Sequence, residues 1–303
     1  MVGARIRVIC GPTAAGKSEL ALRLAEKDGL SIVSSDSRQI YRGFDIGTAK
    51  PSGQERTRVK HFGLDVMDPT ERYSAAAFAR DAERWIAEEN AAGRDVLVVG
   101  GTGFYIRALV DPLADSPAFE TAQRRTLSAE LEDLSTDELR RWCELLDPGL
   151  AHLGRTQLLR AVETALLSGR RLSEFQARGP SMEPRPAAYL LIDPGSVLKH
   201  RIEERLDAML AGGWLDEVRA LEPEVAIDSP AWSGTGYQFM RAVVRGEMDI
   251  DTARALTLTA TRQYAKRQRT WFRHQVAAAD VTQLDPTQAD AFEIACEWVE
   301  RHD

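Results

Sequence analysis

Cysteine is scarce in this chain: Cys10, Cys143 and Cys296 lie far apart and form no C-x-x-C pair. That spacing excludes a disulfide framework and a cysteine-based zinc site, and it suits a reducing compartment. Histidine is scarce too, at five residues, and His61 has no ligand-spaced partner, so a structural role is expected for it. No uninterrupted apolar run approaches membrane-spanning length, and the N-terminus enters a strand-like stretch with no signal-peptide core. A soluble, cytoplasmic protein without a membrane partner is expected. Excess positive charge is also missing: the formal net charge is -7, so any nucleic-acid partner must be held by a local basic surface. One absence is local. Asp95 to Val99 reads as a buried strand, yet it runs into Gly100-Gly101-Thr102-Gly103, where phosphate-loop NTPases carry an Asp that supports Mg²⁺.

What is present begins with Gly11-Pro12-Thr13-Ala14-Ala15-Gly16-Lys17-Ser18, which fits G-x-x-x-x-G-K-[ST]. The backbone amides of such a loop cradle phosphates, Lys17 supplies a point charge, and the Ser18 hydroxyl can hold a Mg²⁺. The flanks agree: Arg5 to Cys10 reads as a strand, and Lys17 to Lys27 as a helix closed by Gly29. Further strands are expected at Leu30 to Ser35, Asp95 to Val99 and Tyr189 to Asp193, and helices at Ser74 to Ala92 and from Leu198 to Gly212. Alternating strands and helices imply an α/β protein, a P-loop NTPase-like parallel sheet flanked by helices, with its ligand at the carboxyl ends of the strands.

Between about Pro112 and Pro186 the strand pattern stops. Prolines at 112, 117, 148, 180, 184 and 186 punctuate short charged helices, among them a capping box at Ser135-x-x-Glu138 and a helix over Leu158 to Leu167. This reads as an inserted all-helical domain, 113–186, dividing a core of 1–112 and 187–303. With 303 residues and 44% hydrophobic content, both parts can bury a core.

Asp36 follows the second strand and faces the phosphate loop, where a general base belongs; a loop carboxylate capping the next turn is the competing reading. Thr102, flanked by glycines, can approach a diphosphate, or else cap the next helix. The stretch from Thr261 to Arg273 carries Arg262, Lys266, Arg267, Arg269 and Arg273 and no acid. Arg262, Lys266, Arg269 and Arg273 share one helical stripe, which suits a polyanion backbone. Arg155, Gln157 and Arg160 open an inserted helix and reach either phosphate or solvent. Arg201 and Arg205 reach the cleft or pair with Glu203, Glu204 or Asp207.

Together these residues resemble the tRNA dimethylallyltransferases over nearly the whole chain. The resemblance rests on the loop at 11–18, Asp-Ser-Arg-Gln-Ile-Tyr-Arg-Gly at 36–43, Asp-Ile-Gly-Thr-Ala-Lys-Pro at 45–51, Val-Gly-Gly-Thr-Gly-Phe-Tyr-Ile at 99–106 and Thr-Arg-Gln-Tyr-Ala-Lys-Arg-Gln at 261–268. It implies transfer of a dimethylallyl group from dimethylallyl diphosphate to N6 of adenosine 37, next to the anticodon, in tRNAs reading codons that begin with U. It implies Asp36 as proton acceptor and Thr102 as a contact to the leaving diphosphate and the nucleotide. Gly11, Pro12, Thr13, Ala14, Ala15, Gly16, Lys17, Ser18 and Arg205 would bind diphosphate with Mg²⁺ at Ser18. Asp36, Ser37, Arg38, Gln39, Thr102, Arg124, Gln157, Leu158, Leu159, Arg160 and Ala161, with the basic stripe, would contact the anticodon arm of tRNA. A monomer is expected. The chain departs from the family at Gly154-Arg155-Thr156, where members often carry Asn-Asp, and at Gln238-Phe239, where members carry a Glu.

Overall fold

The computed structural model describes residues 5–112, 114, 119, 121–179, 183–276 and 280–302. Pro117 and Pro180 lie outside them. Six strands form one parallel sheet: β1 (Ile6–Cys10), β2 (Ser31–Ser34), β3 (His61–Phe62), β4 (Val96–Gly100), β5 (Ala187–Ile192) and β6 (Asp280–Leu284), in the order β3-β2-β4-β1-β5-β6. β1, β2 and β4 are buried at every position, the pattern of a parallel strand covered on both faces. Arg7 is the one charged residue inside β1, and its guanidinium pairs with Asp95 at 2.7 Å.

The chain divides into two compact units, Met1–Asp111 with Arg185–Asp303, and Pro112–Pro184. The first holds the sheet with helices α1 (Lys17–Asp28), α2 (Gly53–Arg58), α3 (Ala75–Ala91) and α4 (Gly103–Val110). The second is helical: α5 (Thr121–Glu132), α6 (Thr136–Leu146), α7 (Arg155–Ser168) and α8 (Leu172–Ala177). After β5 the first unit resumes with α9 (Leu198–Ala211), α10 (Trp214–Leu221), α11 (Tyr237–Val244), α12 (Ile250–Gln275) and α13 (Ala291–Arg301).

Local chemistry accounts for the boundaries. Ser74 accepts the Ala77 amide and starts α3, while Ser135 and Glu138 complete the capping box that starts α6. Leu20, Ala21, Leu24 and Ala25 of α1 pack with Ala295, Trp298 and Val299 of α13 against one face of the sheet. A second core gathers Phe44, Trp214, Trp232 and Tyr237 beneath α9 to α12. The helical unit has its own core of Leu131, Leu139, Cys143, Leu158, Ala161 and Val162. Among the described residues no helix is long and apolar enough to cross a membrane.

Register decides where the loops meet. Cys10 lies beside both Gly100 and Leu191, and Ser34 beside Val99, so the segments after β1, β2 and β4 leave the sheet at one level. β1 is the strand flanked by β4 on one side and β5 on the other, the position where open α/β sheets place a ligand crevice.

Candidate active site

The three segments that leave this edge line a cavity of about 190 Å³ that includes Thr13, Lys17, Ser18, Asp36, Gly101 and Arg205. A smaller one of about 80 Å³ shares Thr13, Asp36, Arg205 and Tyr264 with it and is walled by Ile202, Leu206, Met209 and Trp214. Polar groups therefore stand at the common rim, with apolar surface beyond.

Lys17, the second residue after Gly11-Pro12-Thr13-Ala14-Ala15, donates to the Pro12 carbonyl at 2.6 Å. Burial, then the neighbouring Arg205 charge, push its ammonium down to about 8, opposed by the Asp36 carboxylate. Burial also lowers the Arg205 guanidinium, with Asp36 acting the other way. Two cations held at such a cost await an anion. Their surroundings explain why Arg205 stays available. Glu203 pairs with Arg262, Glu204 with His200 at 3.1 Å and Asp207 with Arg254 at 2.7 Å. The three acids near Arg205 in sequence are thus engaged elsewhere, leaving Asp36 as the carboxylate that acts on it, and Arg201 donates to the Ala15 carbonyl at 3.1 Å.

Asp36 is half-buried, and one of its carboxylate oxygens accepts the Arg38 amide at 2.8 Å. This is an Asx turn, so the turn-forming role of this residue is present, and it holds the carboxylate at the rim. Thr102 stands at the N-cap position of α4 but its side chain makes no capping bond; its hydroxyl accepts the Ser37 amide at 3.1 Å. The loop after β4 is thereby fixed to the loop after β2, with Thr102 bonded to Ser37, the residue that follows Asp36. The glycines around Thr102 have a packing reason. A Cβ on Gly101 would stand 2.3 Å from Gln268 Nε2, and one on Gly103 2.2 Å from the Trp271 ring, so α12 could not lie this close.

The tRNA-directed expectations divide. Gln39 is buried: it accepts from Ser34 and donates to the carbonyls of Thr48 and Ala49 at 3.2 and 3.0 Å. Arg38 reaches Ser233. Leu158 and Ala161 are both 0% exposed in the core of the helical unit, so their side chains cannot touch RNA, a correction to the contact segment read from sequence. The reason is the helix period, which turns these two inward and leaves Gln157 and Arg160 outward, with Leu159 between. Arg124 is committed to the buried Glu163 through two bonds of 3.0 and 2.9 Å. Arg155 holds the carbonyls of Leu134 and Glu132. The basic stripe on α12 is split as well. Arg262 and Arg269 pair with Glu203 and Asp193, whereas Lys266 and Arg273 are exposed.

Two further residues support the site: Lys50 of the 45–51 motif, to which the sequence assigns no role, and Glu217, which has no sequence signature of its own. Lys50, its side chain 1% exposed, ties the Tyr41 carbonyl to Asp45 and Asp65. Glu217 accepts the amides of Asp45 and Ile46 and the Tyr237 hydroxyl. Together they hold the 45–51 motif as a brace for the Asp36 loop.

For a metal ion, the Ser18 hydroxyl and the Asp36 carboxylate line one cavity, an oxygen donor set that suits Mg²⁺ when a phosphate completes its shell. Among the described residues there is no group of three His, Cys, Asp or Glu side chains that could hold a metal by themselves. The residues present fit an ion carried with a phosphate.

Comparison with known proteins agrees with this geometry. The chain matches the family described as IPP transferase over residues 39–275. It is 44% identical over 295 residues to a tRNA dimethylallyltransferase of Halorhodospira halophila, covering 94% of this chain and 95% of that one. It is 40% identical over 296 residues to one of Deinococcus radiodurans, covering 95% and 96%. Its fold resembles a tRNA isopentenylpyrophosphate transferase from Staphylococcus epidermidis, with a TM-score of 0.69, 29% identity, and 99% and 100% of the two chains covered. A eukaryotic dimethylallyltransferase acting on tRNA superposes with a TM-score of 0.80 at 25% identity, over 99% of this chain and 80% of that one. The chain belongs to the IPP transferase family.

Proposed function

We propose that the chain is a tRNA dimethylallyltransferase that moves a dimethylallyl group from dimethylallyl diphosphate to N6 of adenosine 37 in tRNAs reading codons that begin with U. It releases diphosphate, and it works as a cytoplasmic monomer. The observation that carries this reading is the shared rim of two cavities, where Arg205 and Asp36 stand together with Lys17 beside them in the larger cavity, and no acid directly follows β4.

The exocyclic N6 of adenine is a weak nucleophile because its lone pair is delocalised into the ring. Lys17, Arg205 and the amides of the 11–18 loop beyond Thr13 bind the diphosphate and stabilise the negative charge that grows as the allylic carbon–oxygen bond breaks. Mg²⁺, held through Ser18, supplies further neutralisation of that diphosphate when bound. The N6–carbon bond forms as the N6 proton passes to the Asp36 carboxylate. Thr102 holds the nucleotide and leaving group together at the rim. Gln157, Arg160, Lys266 and Arg273 offer exposed polar groups for the RNA backbone, and the adenosine leaves its stack to reach Asp36.

The test uses labelled dimethylallyl diphosphate and, separately, labelled ATP, each with tRNA, AMP or no acceptor. Label from the prenyl donor should enter tRNA alone. Labelling of AMP, or turnover of ATP, would contradict the reading.

A further inference from the structure

Gln268 lies in the middle of α12, is 6% exposed, and is spent entirely on the two loops that flank the reaction rim. Its Oε1 accepts the Thr13 amide at 2.8 Å, and its Nε2 donates to the Gly101 carbonyl at 2.9 Å. No other side chain among the described residues bonds both the 11–18 loop and the 100–103 loop. A single amide thus joins the segment that would grip the donor diphosphate to the segment that carries Thr102.

From this geometry we infer that Gln268 is a positioning residue for the transfer step: it fixes the distance between the donor's diphosphate and Thr102, and so the alignment of the donor carbon with the acceptor. Both ends of the amide are needed. The two loop groups it satisfies have opposite polarity, an N–H and a carbonyl, and only a side chain with one acceptor and one donor on a planar head answers both. Gly101 is part of the device, because a side chain there would occupy the space of Gln268 Nε2. Thr102 continues the chain of bonds, through its hydroxyl, to Ser37 beside Asp36. Gln268 therefore couples the diphosphate loop to the proposed base through two loops and a single buried amide. Displacement of about 1 Å at such a site costs on the order of a hundredfold in rate.

The inference rests on the transfer reading, so its test carries one arm that does not depend on transfer. In the full-length protein, Gln268→Leu should lower kcat by about 10- to 100-fold while the KM for dimethylallyl diphosphate changes by less than about threefold. Gln268→Glu retains the acceptor for Thr13 but sets a carboxylate oxygen against the Gly101 carbonyl. When protonated it regains the donor, so the ratio of variant to wild-type kcat should climb as pH is lowered from about 8 to about 5.5. Should Gln268→Leu fail to fold, the Gln268→Glu ratio decides alone, and a flat ratio overturns the inference. Independently, inorganic pyrophosphate should slow backbone hydrogen exchange in both 11–18 and 101–103 of the wild type. In either variant at pH 8 the protection should stop at 11–18. Equal protection of 101–103 in variant and wild type would overturn the coupling. A wild type that transfers no prenyl group yet shows the coupled protection would sink the transfer reading and leave the bridge standing.

Discussion

The lowered Lys17 ammonium gives a pH dependence with a fixed sign. Burial holds the group at about 8 against an ordinary value of 10.5. Diphosphate binding needs the charged form, so the free protein must be protonated at Lys17 to bind well. With a midpoint of about 8, roughly nine-tenths of the molecules carry the charge at pH 7 and roughly one-tenth at pH 9. The affinity for inorganic pyrophosphate should therefore fall about tenfold between pH 7 and pH 9. A further tenfold or so should be lost by pH 10, measured by isothermal titration at constant ionic strength. Pyrophosphate itself becomes more anionic across the same range, which works in the opposite direction. Lys17→Arg retains its charge throughout, so its profile reports the ligand alone, and the wild-type profile divided by it isolates Lys17. The stability of the ligand-free protein follows the same linkage with the opposite outcome. The folded-state value lies below the unfolded one, so below about pH 8 the fold bears the cost of a buried charge. That cost fades as pH rises through the window from about 8 to 10.5. Lys17→Met should then raise the Tm of ligand-free protein at pH 7 and lose that advantage near pH 10.5. A wild-type to Lys17→Arg affinity ratio that stays level from pH 7 to pH 10 would refute this account of the loop.

Three other outcomes can be measured directly. Gly103→Ala drives a methyl into the Trp271 ring and should cost about 1–3 kcal/mol in denaturant unfolding, since the ring must shift. Leu158→Ala should destabilise the protein by about 2–5 kcal/mol, whereas Gln157→Ala, one position earlier and exposed, should leave unfolding unchanged and weaken tRNA retention on filters. Glu163→Ala removes the acceptor of two Arg124 bonds and of the Ser128 hydroxyl, and should cost about 2 kcal/mol by the same unfolding assay.

Elements with a strong local signal were legible in the sequence. The phosphate loop, the α1 face, the capping box at Ser135 and the start of α3 at Ser74 are short-range patterns, and the structure places them within a residue or two of expectation. Two strands were not read. β3 is two residues long, too short for any period, and β6, Asp-Val-Thr-Gln-Leu, has only its last residue fully buried because it lies at the sheet edge. At the site, Asp36 and Thr102 were visible because strand ends and glycines mark them. Gln268 lies inside a basic motif whose charge gives no hint of it, and its role depends on two loops more than 160 positions away. The split of the basic stripe was equally out of reach, since Glu203 and Asp193 lie on other segments and only the folded chain sets them against Arg262 and Arg269. Buried positions within the 157–161 segment escape the sequence for a related reason. A contiguous segment such as 157–161 takes both inward and outward residues, and only the register of α7 separates them.

The central claim is that this rim performs prenyl transfer with Asp36 as the proton acceptor. Single-turnover transfer from labelled dimethylallyl diphosphate to pre-bound tRNA, in wild type and in Asp36→Asn, tests it most directly. The rate should fall by about two to four orders of magnitude while tRNA affinity shifts by less than about threefold. An unchanged transfer rate in Asp36→Asn would contradict the claim.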